Sequence, residues 1–161
     1  MRGMFCAKRL RDGRWVYGYY VHQYEAHEIF LPGLDDEGFD RYHVDPETVR
    51  QFTGVYDCTT WEELTTEEQA LFLYPIEGGK RSRDDWRGRP IFEGDIVKHY
   101  NRYSFRGDTK TADVGVVYWS EIDCSFRRTS QRKDTDYELG PTCRYEIIGN
   151  IYDNKVEDFC K

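Results

Sequence analysis

The stretch Pro90-Ile91-Phe92-Glu93-Gly94-Asp95-Ile96-Val97 organises the fold of this chain. Its first three and last two residues are apolar and favour strands, whereas the three residues between them favour a turn. Gly94 suits a sharp reversal because it has no Cβ to clash at positive φ, and the carboxylate of Asp95 can accept hydrogen bonds from neighbouring amides. We therefore predict a strand, a tight corner and a second strand, and we favour structural roles for Glu93 and Asp95 over acid–base or metal chemistry.

The composition predicts a chain dominated by β structure. Aromatic residues make up 16% of the 161 residues, with 13 Tyr and 4 Trp, and rings pack well on pleated sheets. The length suits one domain, and we expect a single unit over residues 1–161. Two joined β lobes, at about 1–57 and 86–161 and linked by an insertion at 58–85, are the alternative.

The N-terminal part of the sequence has the pattern of a β-hairpin. The Asp-Gly dipeptide at 12–13 predicts a two-residue type I′ turn. Because side chains alternate along a strand, Trp15, Tyr17 and Tyr19 share one side of the second strand. Gly18, on the other side, predicts a bulge or a close approach of the backbone.

Helical signals are confined to one segment. Thr60 precedes Glu63 by three residues, and Thr65 precedes Glu68 by the same spacing, which is the capping-box pattern. We predict one or two short helices between Thr60 and Leu73. Whether this segment is a functional arm or a cover over a sheet edge is left open.

Other segments are predicted from turn residues and apolar runs. Residues 49–53 form a predicted strand with a turn at Gly54, and residues 77–85 a flexible loop. Residues 129–140 are predicted to be a surface loop, and residues 145–152 a last strand with a glycine kink.

Charge and cysteine usage exclude some classes of protein. The formal net charge of −7 argues against a general nucleic-acid-binding protein, which needs a basic face. Five cysteines, without a C-x-x-C pair, favour a reducing compartment. The first residues lack the apolar region of a signal peptide, and no segment has the length of a membrane span. We expect a cytoplasmic protein that does not contact membranes.

Four elements, in this order, resemble the YopX family of phage and prophage proteins. They lie at residues 8–18, 44–54, 88–97 and 148–154, with specific motifs at Phe52, Thr53, Gly54, Glu93, Gly94, Asp95, Ile96, Ile148, Gly149, Asn150 and Ile151. The resemblance implies small twisted or barrel-like antiparallel sheets, a structural role for these motif residues and a phage or prophage origin, and it implies no reaction. The chain departs from the family pattern by the insertion of roughly thirty residues and by Arg50 in place of a common glycine.

The sequence offers little catalytic chemistry. The four histidines lack the spacing of a metal site on one helix, although a site assembled in space from histidines and cysteines stays open. None of the serines lies in a G-x-S-x-G elbow, and the Gly-Gly-Lys at 78–80 lacks P-loop spacing. We predict no enzyme activity, no catalytic residue, no metal and no cofactor.

Two surfaces remain as candidates for binding. The surplus of rings around Trp15, Tyr17 and Tyr19 favours a protein interface, because exposed aromatic residues often anchor partners. The alternative is binding of a nucleic acid or nucleotide by basic segments near Trp86 and at Arg127 and Arg128, for which a solvated charged loop is the simpler interpretation. We expect a phage accessory protein that is a protein-binding module, through self-association or a host factor, with counter-defence as one form of that role.

Overall fold

The computed structural model describes residues 4–31, 40–73, 81–100, 112–133 and 135–159. The described residues form eleven strands and one α-helix, α1 (Thr66–Leu73). Short 3₁₀ helices lie at Pro46–Thr48, Trp61–Glu63, Arg83–Asp85 and Val156–Phe159. The strands are β1 (Met4–Lys8), β2 (Trp15–Gln23), β3 (Ala26–Leu31), β4 (Asp40–His43), β5 (Arg50–Tyr56), β6 (Pro90–Phe92), β7 (Asp95–Tyr100), β8 (Asp113–Ser120), β9 (Ser125–Arg128), β10 (Tyr137–Glu138) and β11 (Arg144–Asn150).

The strands form two antiparallel sheets. One has the order β4-β3-β2-β1-β5-β6, and the other has the order β10-β9-β8-β7-β11. The prediction of a mainly β fold with a minor helical insertion is therefore confirmed. Among the described strands both sheets are open, so the barrel-like arrangement implied by the resemblance does not extend to a closed barrel.

The chain divides into two compact units. Unit 1 comprises Met1–Phe52 and Thr59–Arg87, and unit 2 comprises Thr53–Cys58 and Gly88–Lys161. The chain thus passes from unit 1 to unit 2 within β5, returns to unit 1 after Cys58, and enters unit 2 again at Gly88.

Unit 1 is built on the β1–β2–β3–β4 meander. Its core contains Ala7, Val16, Ile29 and Val44, all of them buried. Gly18 lies where β2 and β3 approach closely, since a Cβ at this position would be 2.3 Å from the carbonyl oxygen of Phe30. The predicted close approach at Gly18 is confirmed.

Unit 2 is built around β7, which pairs with β8 on one side and β11 on the other. Its core includes Val55, Ile91, Val97, Val117 and Tyr145. β11 carries a register shift between residues 147 and 149, which confirms the predicted glycine kink.

The predicted corner forms, and it joins two different sheets. β6 ends at Phe92 and β7 begins at Asp95, with Gly94 at φ +80°. The side chain of Asp95 accepts a hydrogen bond from the backbone N–H of Phe92 at 2.8 Å, as predicted. The N–H of Gly94 donates to the carbonyl oxygen of Val117 at 2.7 Å, which ties the corner to β8.

The predicted type I′ turn is wrong, although the hairpin is present. Lys8 pairs with Trp15, so the connection spans residues 9–14. Of its residues only Gly13 has positive φ, whereas a type I′ turn needs two such residues. Local bonds close the wider connection: the N–H of Gly13 donates to the carbonyl oxygen of Arg9 at 2.9 Å, and the N–H of Arg14 donates to the Asp12 carboxylate at 3.1 Å.

The predicted turn at Gly54 is wrong, and the surface loop predicted at 129–140 is confirmed except at Tyr137–Glu138. β5 continues through Gly54 to Tyr56, because the Thr53 hydroxyl accepts a hydrogen bond from Val55 and donates one to the Ile91 carbonyl. The predicted loop at 129–140 contains β10, which pairs with β9.

The insertion forms as predicted. Thr65 accepts from the N–H of Glu68 at 3.2 Å, while the carboxylate of Glu68 accepts from the N–H of Thr65 at 2.8 Å. Thr60 and Glu63 form the other predicted box. The first part of the predicted loop at 77–85 lies outside the described residues, and its last part, residues 83–85, is a 3₁₀ helix.

Candidate binding surface

One side of the sheet in unit 1 presents a row of rings to solvent. Along β2, Val16 faces the core and is 9% exposed, whereas Tyr17 and Tyr19 on the other side are 44% and 54% exposed. Trp15 shares their side and is partly exposed. The alternation predicted from the sequence is therefore present along β2, with Val16 packed in the core and Tyr17 and Tyr19 exposed, although the residues paired with this side, such as Cys6, are buried.

The neighbouring strand β3 adds to this row. Phe30 pairs with Tyr19 and so lies on the same side of the sheet. We call the surface formed by Trp15, Tyr17, Tyr19 and Phe30 the aromatic face. Its four rings come from two hydrogen-bonded strands, which hold their spacing.

Cations lie over two rings of the aromatic face. The Lys8 ammonium is 5.4 Å from the ring centroid of Trp15, and the Arg50 guanidinium is 4.2 Å from it. The Arg41 guanidinium is 5.2 Å from the centroid of Phe30. Such contacts attract a cation electrostatically to the face of a ring. Arg50 is only 4% exposed, so it packs on Trp15 from inside the fold, whereas Arg41 beside Phe30 is open to solvent.

The carboxylate on the same side of this sheet is buried. Glu28 has a side chain that is 7% exposed, and its carboxylate lies 3.4 Å from His43 Nδ1 and 3.8 Å from an Arg41 nitrogen. The Arg41 side chain is 61% exposed. On the strands of unit 1, the aromatic face is thus bordered by accessible positive charge, although the chain as a whole has a net charge of −7.

Trp86, a predicted stacking residue, lies in a small cluster within the helical insertion. Its ring makes edge contacts with Trp61 at 6.1 Å and with Phe72 at 5.1 Å. Its indole N–H donates to the carbonyl oxygen of Thr59 at 2.8 Å. These contacts give Trp86 a packing role against Trp61 and Phe72.

Arg127 and Arg128 are adjacent in sequence but differ in environment. Arg128 is 3% exposed, and its guanidinium donates to Asp113 at 2.7 Å and to His99 Nδ1 at 3.0 Å. It also lies 5.0 Å from the ring centroid of Tyr137. The more exposed Arg127 pairs with a neighbouring carboxylate. Only Arg127 of the predicted basic pair reaches the surface.

Burial and the contacts with Arg128 shift the pKa values of Asp113 and His99. Burial opposes ionisation of Asp113, but hydrogen bonds from Arg128 and Ser130 and the charge of Arg128 outweigh it, so the pKa of Asp113 is lowered. Burial, followed by the nearby charge of Arg128, lowers the pKa of His99, and Asp113 only partly opposes this. His99 therefore accepts a hydrogen bond as a neutral imidazole beside a charged pair.

The motif residues hold turns and strand junctions in unit 2. Glu93 accepts a hydrogen bond from the N–H of Trp119 at 3.3 Å, and the Asn150 side-chain oxygen accepts from Tyr152 and Asp153. At Gly149 a Cβ would lie 2.5 Å from the side-chain oxygen of the Asn154 amide. Glu93 and Asn150 thus accept from backbone amides, and Gly149 leaves no room for a side chain, which fits a structural role for these residues.

A pair of histidines is brought together that the sequence spacing did not suggest. His22 on β2 pairs with His27 on β3, and the two ring centroids are 4.2 Å apart with planes 9° apart. The Tyr20 hydroxyl lies 2.5 Å from His27 Nδ1. The signal that could have found this pair is the hairpin register, because a turn at residues 24–25 places 22 opposite 27. In the part of the chain that the structure describes, no group of three or more His, Cys, Asp or Glu side chains gathers as a metal site.

The fold and this surface define a mainly β protein of two units with an exposed aromatic sheet face. Residues 81–156 match the family described as YopX protein, which confirms the predicted resemblance over this part of the chain. The match supports a phage-type protein and gives no biochemical role. The motifs at 93–96 and 148–151 lie inside the matched region, whereas the aromatic face lies outside it.

Comparison with curated proteins and with solved structures gives no match. No helix among the described residues is long and apolar enough to cross a membrane.

Proposed function

We propose that this chain is a phage accessory protein that acts in the cytoplasm of the bacterial host as a protein-binding module, without catalysis. The observation that carries the proposal is the exposure of Tyr17 and Tyr19, at 44% and 54%, on a strand whose other side is packed in the core. The partner is a second copy of this chain or a host protein.

The aromatic face has the composition of an interface centre. Tyrosine, tryptophan and arginine are the residues that most often dominate binding energy at protein interfaces, because their large side chains bury much area at modest entropic cost. Here three such rings lie along β2, with Arg41 beside them. Val21, at 37% exposure, extends the row by one alternate position.

The rings also have a geometry that favours recognition of an extended partner segment. Alternate side chains on a strand are about 6.7 Å apart, so the three rings of β2 form a straight row. The exposed guanidinium of Arg41, beside Phe30, can pair with acidic or polar groups of the partner. A partner strand or loop laid along the row would contact all three rings.

The test compares variants on and off the aromatic face. Tyr17→Ser with Tyr19→Ser removes two exposed rings, and Tyr24→Ser is the matched control, since Tyr24 is 90% exposed at the hairpin tip. Light scattering coupled to size exclusion measures self-association, and affinity recovery from host lysate measures a host partner. We expect the double variant to lose the interaction and Tyr24→Ser to keep it. A wild-type protein that stays monomeric and recovers no specific partner would contradict the proposal.

The second candidate function is binding of single-stranded nucleic acid or a nucleotide on the same aromatic face. Cations lying on rings, with further rings exposed beside them, are the arrangement that stacks bases and contacts phosphates. Fluorescence anisotropy with a labelled oligo(dT) distinguishes the two. Binding at low salt that falls in high salt and in Arg41→Gln favours this candidate, and the absence of any anisotropy change removes it.

A further inference from the structure

We propose that His22 and His27 form a binding site for a divalent transition-metal ion, with Tyr20 as the residue that orients the His27 ring. The two imidazoles come from adjacent antiparallel strands in direct register. Their ring centroids are only 4.2 Å apart. Neutral imidazole is a preferred ligand of copper, nickel and zinc ions.

The hairpin fixes the positions of the two rings. β2 and β3 pair over five residues, and the pair Gln23 and Ala26 closes the two-residue turn at 24–25. Cβ atoms of directly opposed residues are about 4.5–5.5 Å apart, which lets two side chains reach one ion. The ligands are therefore held by backbone pairing and do not depend on a flexible loop.

Tyr20 supplies an outer contact to the site. Its hydroxyl oxygen lies 2.5 Å from His27 Nδ1, and its ring packs against Phe5 at 5.6 Å on the core side. In the proposed site His27 Nδ1–H donates to Tyr20, which leaves the Nε2 lone pair for the metal. Histidine ligands commonly donate their second ring N–H to an oxygen, which sets the tautomer and the ring orientation.

His22 provides the adaptable ligand. The two ring planes differ by only 9°, so the lone pairs must converge by rotation of one ring. His22 is exposed and His27 is partly buried beside Tyr20, so His22 is the ring that turns. Nitrogen ligands bind zinc at about 2.0–2.1 Å, and water completes the coordination of this two-imidazole site.

Selectivity among ions follows from the ligand chemistry. The site has nitrogen donors, so copper should bind more tightly than nickel, as in the general order of first-row divalent ions. Magnesium prefers oxygen ligands and should not bind.

Isothermal titration of the full chain with CuCl₂, NiCl₂ and MgCl₂ tests the proposal. The protein carries no polyhistidine tag, and the exposed thiols Cys124 and Cys143 are alkylated first, since thiolates also bind these ions. We expect one saturable copper and nickel site, no magnesium binding, and broadening by copper of NMR signals from residues 20–27.

Variants locate the site. His22→Gln and His27→Gln should each weaken copper binding by about tenfold or more, and Tyr20→Phe should weaken it while keeping the ring packed on Phe5. His43→Gln, an exposed imidazole on β4, is the control and should bind as wild type. Thermal melts without metal establish that each variant folds. Unchanged binding in His22→Gln, equal binding of magnesium, or no saturable site would overturn the proposal.

Discussion

Arg128 and Asp113 form a buried ion pair that joins two neighbouring strands of unit 2. Arg128 ends β9 and Asp113 begins β8, and the guanidinium and carboxylate are 2.7 Å apart with side chains that are 4% and 13% exposed. The same guanidinium also contacts His99 on the third strand, β7, where burial first and then the charge of Arg128 lower the pKa of the imidazole. Arg128, which the sequence suggests as a surface binding residue, is therefore a buried residue of unit 2.

Arg128→Ala should destabilise the protein by about 3–5 kcal/mol, because it leaves the Asp113 carboxylate buried without its cation. Urea unfolding followed by circular dichroism measures this change. The adjacent Arg127→Ala is the control, since its side chain is 23% exposed and its ion pair with Asp123 should contribute only about 0–1 kcal/mol. Equal losses in both variants would contradict the assignment of Arg128 to the interior.

The stability of the protein should decrease as the pH falls below about 6.5. Burial and the charge of Arg128 lower the pKa of His99 below its ordinary value of 6.5 in the folded chain. Between the folded and unfolded pKa values the unfolded chain binds more protons, so the free energy of unfolding falls with decreasing pH and levels off below the folded pKa. His99→Gln keeps an acceptor for Arg128 but does not titrate, so urea unfolding from pH 7 to 5 should show a smaller slope. An identical slope in this variant would rule out His99 as the source.

Gly18→Ala should destabilise unit 1 by about 1–3 kcal/mol or more, because the new Cβ would lie 2.3 Å from the Phe30 carbonyl oxygen and force β2 and β3 apart. Gly140→Ala serves as the control, since its Cβ would meet only the Cys143 sulfur at 3.6 Å. The control should stay within about 0.5 kcal/mol of wild type. Thermal melts of the two variants compare them, and a Gly18→Ala protein as stable as the control would show that the strands can separate without cost.

Asp95→Ala should cost about 1–3 kcal/mol, because it leaves the buried N–H of Phe92 without its acceptor at the corner. Glu93→Ala, in the same corner, should cost less, since Glu93 is partly exposed and its bond to Trp119 is longer, at 3.3 Å. Urea unfolding measures both. A larger loss for Glu93→Ala would reverse the roles given to the two carboxylates.

Local features of the fold could be predicted from the sequence because their causes lie within a few residues. The corner at Gly94, the capping boxes at Thr60 and Thr65, and the alternation of rings along β2 depend on residue type and spacing alone. The predicted type I′ turn at residues 12–13 did not form because the Asp12 carboxylate accepts from the N–H of Arg14 and the Gly13 N–H donates to Arg9, which gives a wider connection that the dipeptide alone does not report.

The part of the binding surface that depends on residues close together in the sequence could also be predicted. Exposure of Tyr17 and Tyr19 follows from alternation on one strand. The burial of Arg128 depends on pairing with a strand whose carboxylate lies fifteen residues earlier in the chain, and no local pattern reports it. The His22 and His27 pair depends on a turn whose residue Tyr24 has positive φ without being glycine or asparagine, so the usual turn signal is missing.

The chain crosses between the two units three times, so a fragment should fold only if it contains every segment of its unit. Unit 2 needs Thr53–Cys58, which the sequence places ahead of the insertion, and Val55 from this piece belongs to its core. A fragment covering only the family-matched residues 81–156 lacks this strand, so it should be poorly folded and should gain structure when a synthetic peptide with residues 50–58 is added. Unit 2 is thus discontinuous in the sequence, and its segment Thr53–Cys58 lies outside the family-matched region.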